Sequence, residues 1–376
     1  MRRQATQAMA LFRQDITDTL TRLATKQVGI ALWDEPEWRN CLLENNWVCA
    51  SWPMAWGGAG WSSEQKFVWY SAVHHIFDDY VEPPEIHDVG PCLQRWGNQL
   101  GHELLPAILN LEARWSLALF EGSFNGIDLA TELTASGRLS GRKTQVRFAQ
   151  RAEKFLVAAR FADKFVLLDV PVDAPGVEVE AIAGLNGDVS NLAWAEVKFD
   201  DVAVTTQQIC GELDSSEALR LLCHQTVSLE LGRSGAIDRQ LLAARQQIET
   251  QASLEAEFSN RLAEAEIGLQ ALVAMEARVV TAAEIATPPP IPRSLLQARG
   301  LALQLEVGEL LVDAFGYYAL PYPDEISLHN EGPIGSSSGM AASRAMLRAT
   351  EQVNYANLAG DLYDIAAEVL LSEPEK

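Results

Sequence analysis

The stretch LSGRKTQVRFAQRAEKFLVAAR, residues 139–160, decides the fold class of this chain. It contains the strand-like run FLVAAR, and similar short runs surround it, namely LALF, KFVLLDV, VEVEAIA and AEVKFDDVAV. Turns of the SG, NG and APG types separate these runs between about residues 116 and 205. Short runs rich in β-branched and aromatic residues between such turns are typical of paired strands. A small antiparallel β domain is therefore predicted for residues 116–210.

Helical periodicity flanks this β region on both sides. Before it, Leu11, Ile16, Leu20 and Leu23 recur every three to five residues, which predicts an N-terminal helical domain over residues 1–115. After it, apolar residues recur at steps of three and four from residue 254 to 279, which predicts a long amphipathic helix.

The proline-rich segment 287–292 cannot continue that helix, because each proline ring removes an N–H and blocks the preceding turn. Further helices are predicted over about residues 294–315 and 341–371. Residues 211–376 are thus expected to form a C-terminal four-helix bundle. The predicted fold class is α+β, with a helical domain, a small β domain and a helical bundle in that order.

Composition and charge limit the function classes. The chain has 376 residues, and 51 Asp and Glu against 29 Lys and Arg give a formal net charge of −22. Such a charge argues against nucleic acid bound through a general positive field. The 5 cysteines form no C-x-x-C pair, which is typical of reduced thiols in a cytoplasmic protein.

Neither a membrane segment nor a metal site is predicted. The sequence has no apolar run of about 18 residues and no signal-peptide core, so a cytoplasmic localisation is expected. His74 and His75 lie near Asp78 and Asp79, which resembles a metal spacing, but no further ligand cluster accompanies them.

Four segments resemble hallmarks of the acyl-CoA dehydrogenase family, and they occur in the order that the family has. They are residues 45–65, 96–123, 139–160 and the strand-like VKFDDVAV at 197–204. The order of helices, β domain and helical bundle is also similar to that family. The short β segments and the proline-rich linker resemble the subgroup that acts on sterol side-chain CoA thioesters as assemblies of unlike subunits.

The resemblance implies removal of hydrogen across Cα–Cβ of an acyl-CoA thioester, with FAD as the cofactor and a carboxylate as the base. Arg348 falls on the position of the family's usual base, and Gln225 falls on the base position used by a minority of the family. Neither side chain accepts the proton. Glu230 and Glu351 are the fallback candidates if the alignment is shifted.

The resemblance also identifies cofactor-binding residues. Arg245 matches an arginine that reaches the pyrophosphate of the FAD bound by a neighbouring subunit. Thr350 and Gln352 match positions that contact FAD, and Gly316 remains of a glycine-rich motif. An alternative for Arg245 is a solvated helix residue that pairs with Glu249 four residues later.

Several residues depart from the family pattern around the chain's own flavin loop. Phe120 replaces a Thr or Ser, Gln145 replaces a Trp that packs beside the flavin ring, and Arg147 replaces another Thr or Ser. Glu121 and Asp128 keep the pattern. The departures thus fall on the side of the chain that would hold its own flavin.

The sequence therefore predicts an FAD-dependent acyl-CoA dehydrogenase chain that is the base-deficient subunit of a hetero-oligomer. Two alternatives stay open: an active homo-oligomer with a relocated Glu base, and a non-catalytic scaffold that keeps the fold. The expected partners are an acyl-CoA substrate, a second acyl-CoA dehydrogenase-like subunit and an electron-transferring flavoprotein as electron acceptor. Nucleic acid and membrane are not expected partners.

Overall fold

The computed structural model describes residues 2–24, 32–77, 80–122, 129–182, 194–227, 231–250, 252–284, 293–319, 337–354, 362–364 and 366–367. The chain divides into two compact units. The first comprises residues 1–32, 62–80 and 229–376, and the second comprises residues 33–61 and 81–228. The three-domain division expected from the sequence, with boundaries at residues 115 and 210, stays a prediction.

The longer helices of the described residues are α1 (Arg2–Ala24), α2 (Pro36–Glu44), α3 (Ser63–Ile76), α4 (Gly90–Trp96), α5 (Gln99–Leu109), α6 (Ser216–Val227), α7 (Arg233–Glu249), α8 (Ala252–Glu284), α9 (Arg293–Phe315) and α10 (Ser337–Asn354). The strands are β1 (Trp115–Ala118), β2 (Glu132–Leu133), β3 (Arg138–Arg147), β4 (Lys154–Phe161), β5 (Lys164–Pro171), β6 (Val177–Ala181), β7 (Trp194–Ala203) and β8 (Ile209–Leu213).

The second unit is built on a mixed sheet with the strand order β6-β7-β3-β2-β4-β5-β8, and β1 pairs with β4. Most neighbours are antiparallel, as the sequence predicts, but β1 and β2 run parallel to β4. This detail corrects the expectation of a purely antiparallel domain. A parallel pair needs a long connection, and two further strands, β2 and β3, lie between β1 and β4 in the chain.

Strand β4 lies at the centre of the core of this sheet. Phe155, Leu156, Val157 and Ala159 on this strand are all fully buried, so both faces of β4 are covered. The ring of Phe155 meets the ring of Phe199 on β7 edge to face, with ring centroids 6.4 Å apart. Full burial of such side chains stabilises the fold by about 1.5–3 kcal/mol each.

A π-helix over Glu85–Val89 leads into α4 in the second unit. Trp52 packs against it, and its indole Nε1 donates a hydrogen bond to the carbonyl of Ile86 at 2.9 Å. Gly90 follows at once, and a Cβ at that position would come within 1.9 Å of the Trp52 ring. The glycine therefore allows the tryptophan to lie against the start of α4.

The first unit is helical and contains α1, α3 and α7 to α10. The long helix predicted around residues 254–279 is α8, and the helix predicted over residues 294–315 is α9. Both predictions are confirmed. The helix predicted over residues 341–371 begins at Ser337 and continues to Asn354, and most of the remainder lies outside the described residues.

A buried carboxylate fixes the start of α7 within the first unit. Glu276 on α8 is 1% exposed and accepts hydrogen bonds from the backbone N–H of Gly232 at 3.0 Å and from the hydroxyl of Ser234. The first N–H groups of a helix have no partner within the helix and favour a negative charge. Glu276 therefore caps α7 from a neighbouring helix.

The described part of the chain contains no helix with the length and hydrophobicity that crossing a membrane requires. Among the same residues, no three His, Cys, Asp or Glu side chains form a group that could hold a metal ion. Asp78 and Asp79 lie outside the described residues. All 5 cysteines are free and buried, as the sequence predicts.

Candidate functional site

A buried ion pair holds the start of the loop that follows β1. Lys143 on β3 is completely buried, and its Nζ lies 2.6 Å from the Glu121 carboxylate, which is 10% exposed. Lys143 also donates to the carbonyl of Leu119 at 3.2 Å. The Glu121 carboxylate accepts from the backbone N–H groups of Ala130 at 2.6 Å and Thr131 at 3.1 Å. One carboxylate thus joins both ends of the loop to the sheet.

Burial and mutual attraction act in opposite directions on the pKa values of this pair. Burial lowers the pKa of Lys143 to about 8, against the raising effect of Glu121. Burial would raise the pKa of Glu121, but Lys143 and the backbone N–H groups hold it below its usual value. A carboxylate with a lowered pKa and occupied oxygens is a weak base. Glu121 is therefore not suited to take a proton from a substrate.

Gln145 on β3 contacts the same loop after β1. Its backbone has a φ of +56° at a point where the register of β3 against β7 shifts. A bulge of this kind redirects a side chain. The Gln145 Nε2 donates to the carbonyl of Gly122 at 2.7 Å, and the side chain is 5% exposed. The Gln145 side chain therefore binds the loop that follows β1.

Arg147, which is 20% exposed, forms a network with His87 and the buried Asp88 of the π-helix. Its Nη2 lies 2.7 Å from Asp88 Oδ2, and Asp88 Oδ1 lies 2.6 Å from His87 Nδ1. The guanidinium carbon lies 6.0 Å from the centre of the Trp194 ring. The Nε2 atom of His87 is buried and has no hydrogen-bond partner among the described residues. The arginine at this position is thus neutralised inside the protein.

The charges of this network shift the pKa values of Asp88 and His87 in opposite directions. Burial would raise the pKa of Asp88, but Arg147 and His87 together hold it below its usual value. Burial would lower the pKa of His87, yet Asp88 raises it overall. The sequence alone does not identify Asp88 and His87, because nothing in the local sequence EIHDVGP indicates that they are partners of Arg147. Their burial on a π-helix, a geometry frequent at functional sites, is visible only in the fold.

The structure places Arg245 on α7 in the first unit. Its Nη2 pairs with Glu266 of α8, and its Nη1 lies 3.9 Å from Glu249, the residue four positions later. The Arg245 side chain is 45% exposed. The helix pairing considered from the sequence is therefore present, and half of the side chain stays accessible to an anion from outside.

Gly316 and Thr350 lie in other parts of the first unit. Gly316 has a φ of +53° and opens a short 3-10 helix, Gly316–Ala319, directly after α9. Tyr317 and Tyr318 beside it are 68% and 47% exposed. The hydroxyl of Thr350 donates to the carbonyl of Met346 at 2.8 Å, one turn earlier in α10. The cofactor roles of Gly316 and Thr350 stay predictions.

The candidate base positions are described only in part. Glu230 and Asp128 belong to segments beyond the described residues. Gln225 lies in α6, and Arg348, Glu351 and Gln352 lie in α10, but the side chains of these four lie outside what the structure describes. The absence of a base, the two fallback glutamates and the cofactor role of Gln352 therefore stay predictions.

Comparison with known proteins gives one relative by sequence. No family model matches the chain. The acyl-CoA dehydrogenase IpdE1 of Mycolicibacterium smegmatis is 28% identical over 207 residues, which cover 46% of this chain and 50% of that protein. The chain thus spans about half the length of the curated relative that it matches.

Solved structures match the chain over nearly its full length. The steroid acyl-CoA dehydrogenase Tcur3481-Tcur3483 has a TM-score of 0.76 and 18% identity, over 99% of this chain and 98% of that chain. The ChsE4-ChsE5 complex from Mycobacterium tuberculosis has a TM-score of 0.77 and 18% identity, over 98% of each chain. PigA, solved with FAD and proline, has a TM-score of 0.77 and 15% identity, over 95% of this chain and 97% of PigA. The chain therefore has the acyl-CoA dehydrogenase fold, and over about half of its length its sequence resembles a curated acyl-CoA dehydrogenase.

Proposed function

We propose that this chain is the base-deficient subunit of a hetero-oligomeric, FAD-dependent acyl-CoA dehydrogenase. A second dehydrogenase-like subunit supplies the carboxylate base, and this chain supplies an interface and a cation, Arg245, to a cofactor held chiefly by the partner. The observation that carries the proposal is that polar side chains expected near this chain's own flavin are bound to other residues of the same chain. Gln145 binds Gly122, and Arg147 binds Asp88.

The fold and its relatives support the first half of the proposal. Two of the similar structures are complexes named for two different chains, and one of them is a steroid acyl-CoA dehydrogenase. PigA and its FAD complex have the same fold. In this reading FAD accepts hydride from Cβ of the acyl group while a carboxylate removes the α proton.

The residues of this chain's own flavin side do not fit FAD. The pyrophosphate and ring of the cofactor need free hydroxyl, amide and cationic donors. Here Glu121 already accepts from the N–H groups of Ala130 and Thr131, and the amide of Gln145 is bound to Gly122. The oxygens of the Thr131, Thr144 and Gln145 side chains have no described partner, but protein atoms cover them completely.

Arg245 fits a donated role better. It is a half-exposed cation in a salt-bridge network, in close contact with Glu266 and 3.9 Å from Glu249. A surface pair of this kind contributes about 0–1 kcal/mol, so a pyrophosphate with two charges displaces the carboxylate at little cost. Arg245 then exchanges its ion pair with Glu266 for one with the pyrophosphate of the cofactor.

The wider partners belong to the same proposal. The substrate is an acyl-CoA thioester, and an electron-transferring flavoprotein reoxidises the cofactor. One similar structure is the electron-transferring flavoprotein of Acidaminococcus fermentans, with a TM-score of 0.74 and 16% identity, a likeness that concerns the fold alone. A cytoplasmic assembly is part of the proposal, in line with 5 free thiols.

The experiment compares the chain alone with the chain co-expressed with a dehydrogenase-like chain from a neighbouring gene that keeps the carboxylate base. We expect a colourless protein alone, and in the complex one FAD for each pair of chains together with acyl-CoA turnover. Arg245→Gln should lower flavin retention in the complex. Arg261→Gln is the matched control, because Arg261 is 43% exposed and pairs with Asp313 in the same unit. A fully flavinylated, active homo-oligomer would overturn the proposal.

The two alternatives give different results in the same experiment. If a relocated base acts in a homo-oligomer, Glu230→Gln or Glu351→Gln abolishes turnover and leaves flavin bound. If the chain is a non-catalytic scaffold, neither preparation turns yellow. The internal contacts of Gln145 and Arg147 are compatible with the scaffold as well, so flavin content of the complex decides between them.

A further inference from the structure

A small arginine-rich cleft lies in the second unit, apart from the contacts described above. Its volume is about 30 Å³, and its walls include Arg39, Arg114, Arg151 and Glu85 together with the rings of Trp33 and Trp115. The arginines come from three separate segments, namely α2, the approach to β1 and the turn after β3. Three cations therefore converge on one small space.

The charge of the cleft is only partly compensated. Arg39 donates to the carbonyl of Leu111 at 3.0 Å, which carries no charge. Arg114 lies 3.3 Å from Asp34, and Arg151 contacts the same carboxylate oxygen. A single aspartate thus serves two guanidinium groups. Three arginines against one paired carboxylate leave a positive excess, even on a protein with a net charge of −22.

Glu85 is the acidic residue in the lining of this cleft, to which Asp34 does not belong. Its side chain is 8% exposed, and it makes no ion pair within 4.0 Å among the described residues. Burial raises the pKa of Glu85 to about 7, while Arg151 and Arg114 lower it and Asp88 raises it. Burial raises the pKa of Cys49, and the nearby carboxylates of Glu82 and Glu85 raise it further. The arginines do not titrate near neutral pH, so Glu85 sets the charge of the cleft there.

The volume limits which anion can enter. A water molecule needs about 10–15 Å³ of such space, so the cleft holds two waters or one ion of comparable size. This small space favours a compact anion over sulfate and phosphate, which carry four oxygens each. A chloride ion is only slightly larger than water and accepts N–H donors from several directions.

We propose that the cleft between Arg39, Arg114 and Arg151 is a chloride site, in which the charge of Glu85 in the same lining opposes the anion. When Glu85 is protonated, the excess positive charge of the arginines favours chloride. When Glu85 is ionised, its carboxylate offsets part of that charge and the anion binds more weakly. Chloride binding is therefore coupled to uptake of one proton. This site does not depend on the proposed dehydrogenase function.

Bromide replaces chloride as a probe in a direct test. Crystals of the full chain, soaked in sodium bromide near pH 6, should show an anomalous bromine peak between the three guanidinium groups. A cleft that holds only water under these conditions overturns the proposal. This measurement needs no variant, so a folding defect cannot obscure it.

Thermal unfolding in sodium chloride against sodium gluconate at equal ionic strength measures the coupling in solution. We expect chloride affinity to fall about tenfold from pH 6 to pH 8, as one group that titrates near 7 requires. Glu85→Gln should bind chloride equally at both pH values, and Arg151→Gln should lose at least tenfold in affinity.

Arg142→Gln is the matched control, because Arg142 is 63% exposed and pairs with Glu196 on the sheet surface. It should respond to chloride as the unaltered chain does. An Arg151→Gln response equal to that of Arg142→Gln contradicts the site. A pH dependence that survives in Glu85→Gln contradicts the coupling.

Discussion

The buried pair of Lys143 and Glu121 allows a quantitative test of the contacts that close the flavin loop. Lys143→Met keeps the length of the aliphatic stem and removes the charge. The Glu121 carboxylate, 10% exposed, then loses the Nζ at 2.6 Å and keeps two backbone N–H donors. Removing one partner of a buried pair costs about 3–5 kcal/mol. Since two donors remain, we expect the free energy of unfolding to fall by an amount at the lower end of that range, about 3 kcal/mol.

The reciprocal change tests the other side of the pair. In Glu121→Gln, the completely buried Lys143 loses its counter-charge and keeps neutral acceptors, namely the carbonyl of Leu119 at 3.2 Å and the new amide oxygen. Lys143 can then lose its proton, because burial already lowers its pKa to about 8. We expect a loss of about 2–3 kcal/mol. The double variant leaves no unpaired charge. Its loss of unfolding free energy should therefore be smaller than the sum of the two single losses, by about 2 kcal/mol or more.

Urea unfolding followed by circular dichroism measures these free energies of unfolding. Lys198→Met is the control, because Lys198 is 52% exposed and lies 3.4 Å from Glu178, which is 68% exposed. A surface pair of this kind contributes about 0–1 kcal/mol. A Lys143→Met loss as small as the Lys198→Met loss, or additive single losses, would refute the reasoning about the loop.

Three further predictions concern other buried groups. Glu276→Ala leaves the N-terminus of α7 without its cap and should lower the unfolding free energy by about 2–4 kcal/mol, measured by urea unfolding, with a smaller loss in Glu276→Gln. The pKa of Glu85 is raised to about 7, so the folded state binds its proton more tightly than the unfolded state. Stability should therefore fall by roughly 3 kcal/mol at most from about pH 4.5 to 8, and Glu85→Gln should lack this fall in a pH series of unfolding curves. Burial raises the pKa of Cys210 and of Cys223 to about 12, so neither thiol should react with Ellman's reagent until denaturant is added.

Much of the fold follows from local sequence patterns. Apolar residues at helical spacing give α8 and α9 almost to their ends, because a buried helix face requires that spacing wherever it packs. The β runs likewise become strands. The parallel pairing of β1 with β4 is not predictable in this way, since register across a sheet depends on residues far apart in the chain.

The candidate site is predictable only in part, for the same reason. The resemblance identifies Glu121, Gln145 and Arg147 as positions of interest, but it gives no partners for them. Asp88 lies 59 residues before Arg147 in the sequence, and Glu276 lies 42 residues after Ser234. Neither carboxylate has a local signature, because a buried ion pair is specified by three-dimensional proximity and not by spacing.

By resemblance a Thr or Ser is expected at position 147, where this chain has an arginine. The effect of that difference cannot be judged from residue 147 alone, because its partners differ as well. A guanidinium cannot be buried without a compensating charge, and Asp88 provides it at 2.7 Å. Asp88 in turn binds His87, so the arginine fixes two residues of the π-helix. Reverting Arg147 to a threonine would leave Asp88 with only His87 as its partner, and that buried charge would oppose the reversal. Arg147, Asp88 and His87 therefore form one network, and Arg147→Thr alone should not free the other groups of this region for a ligand.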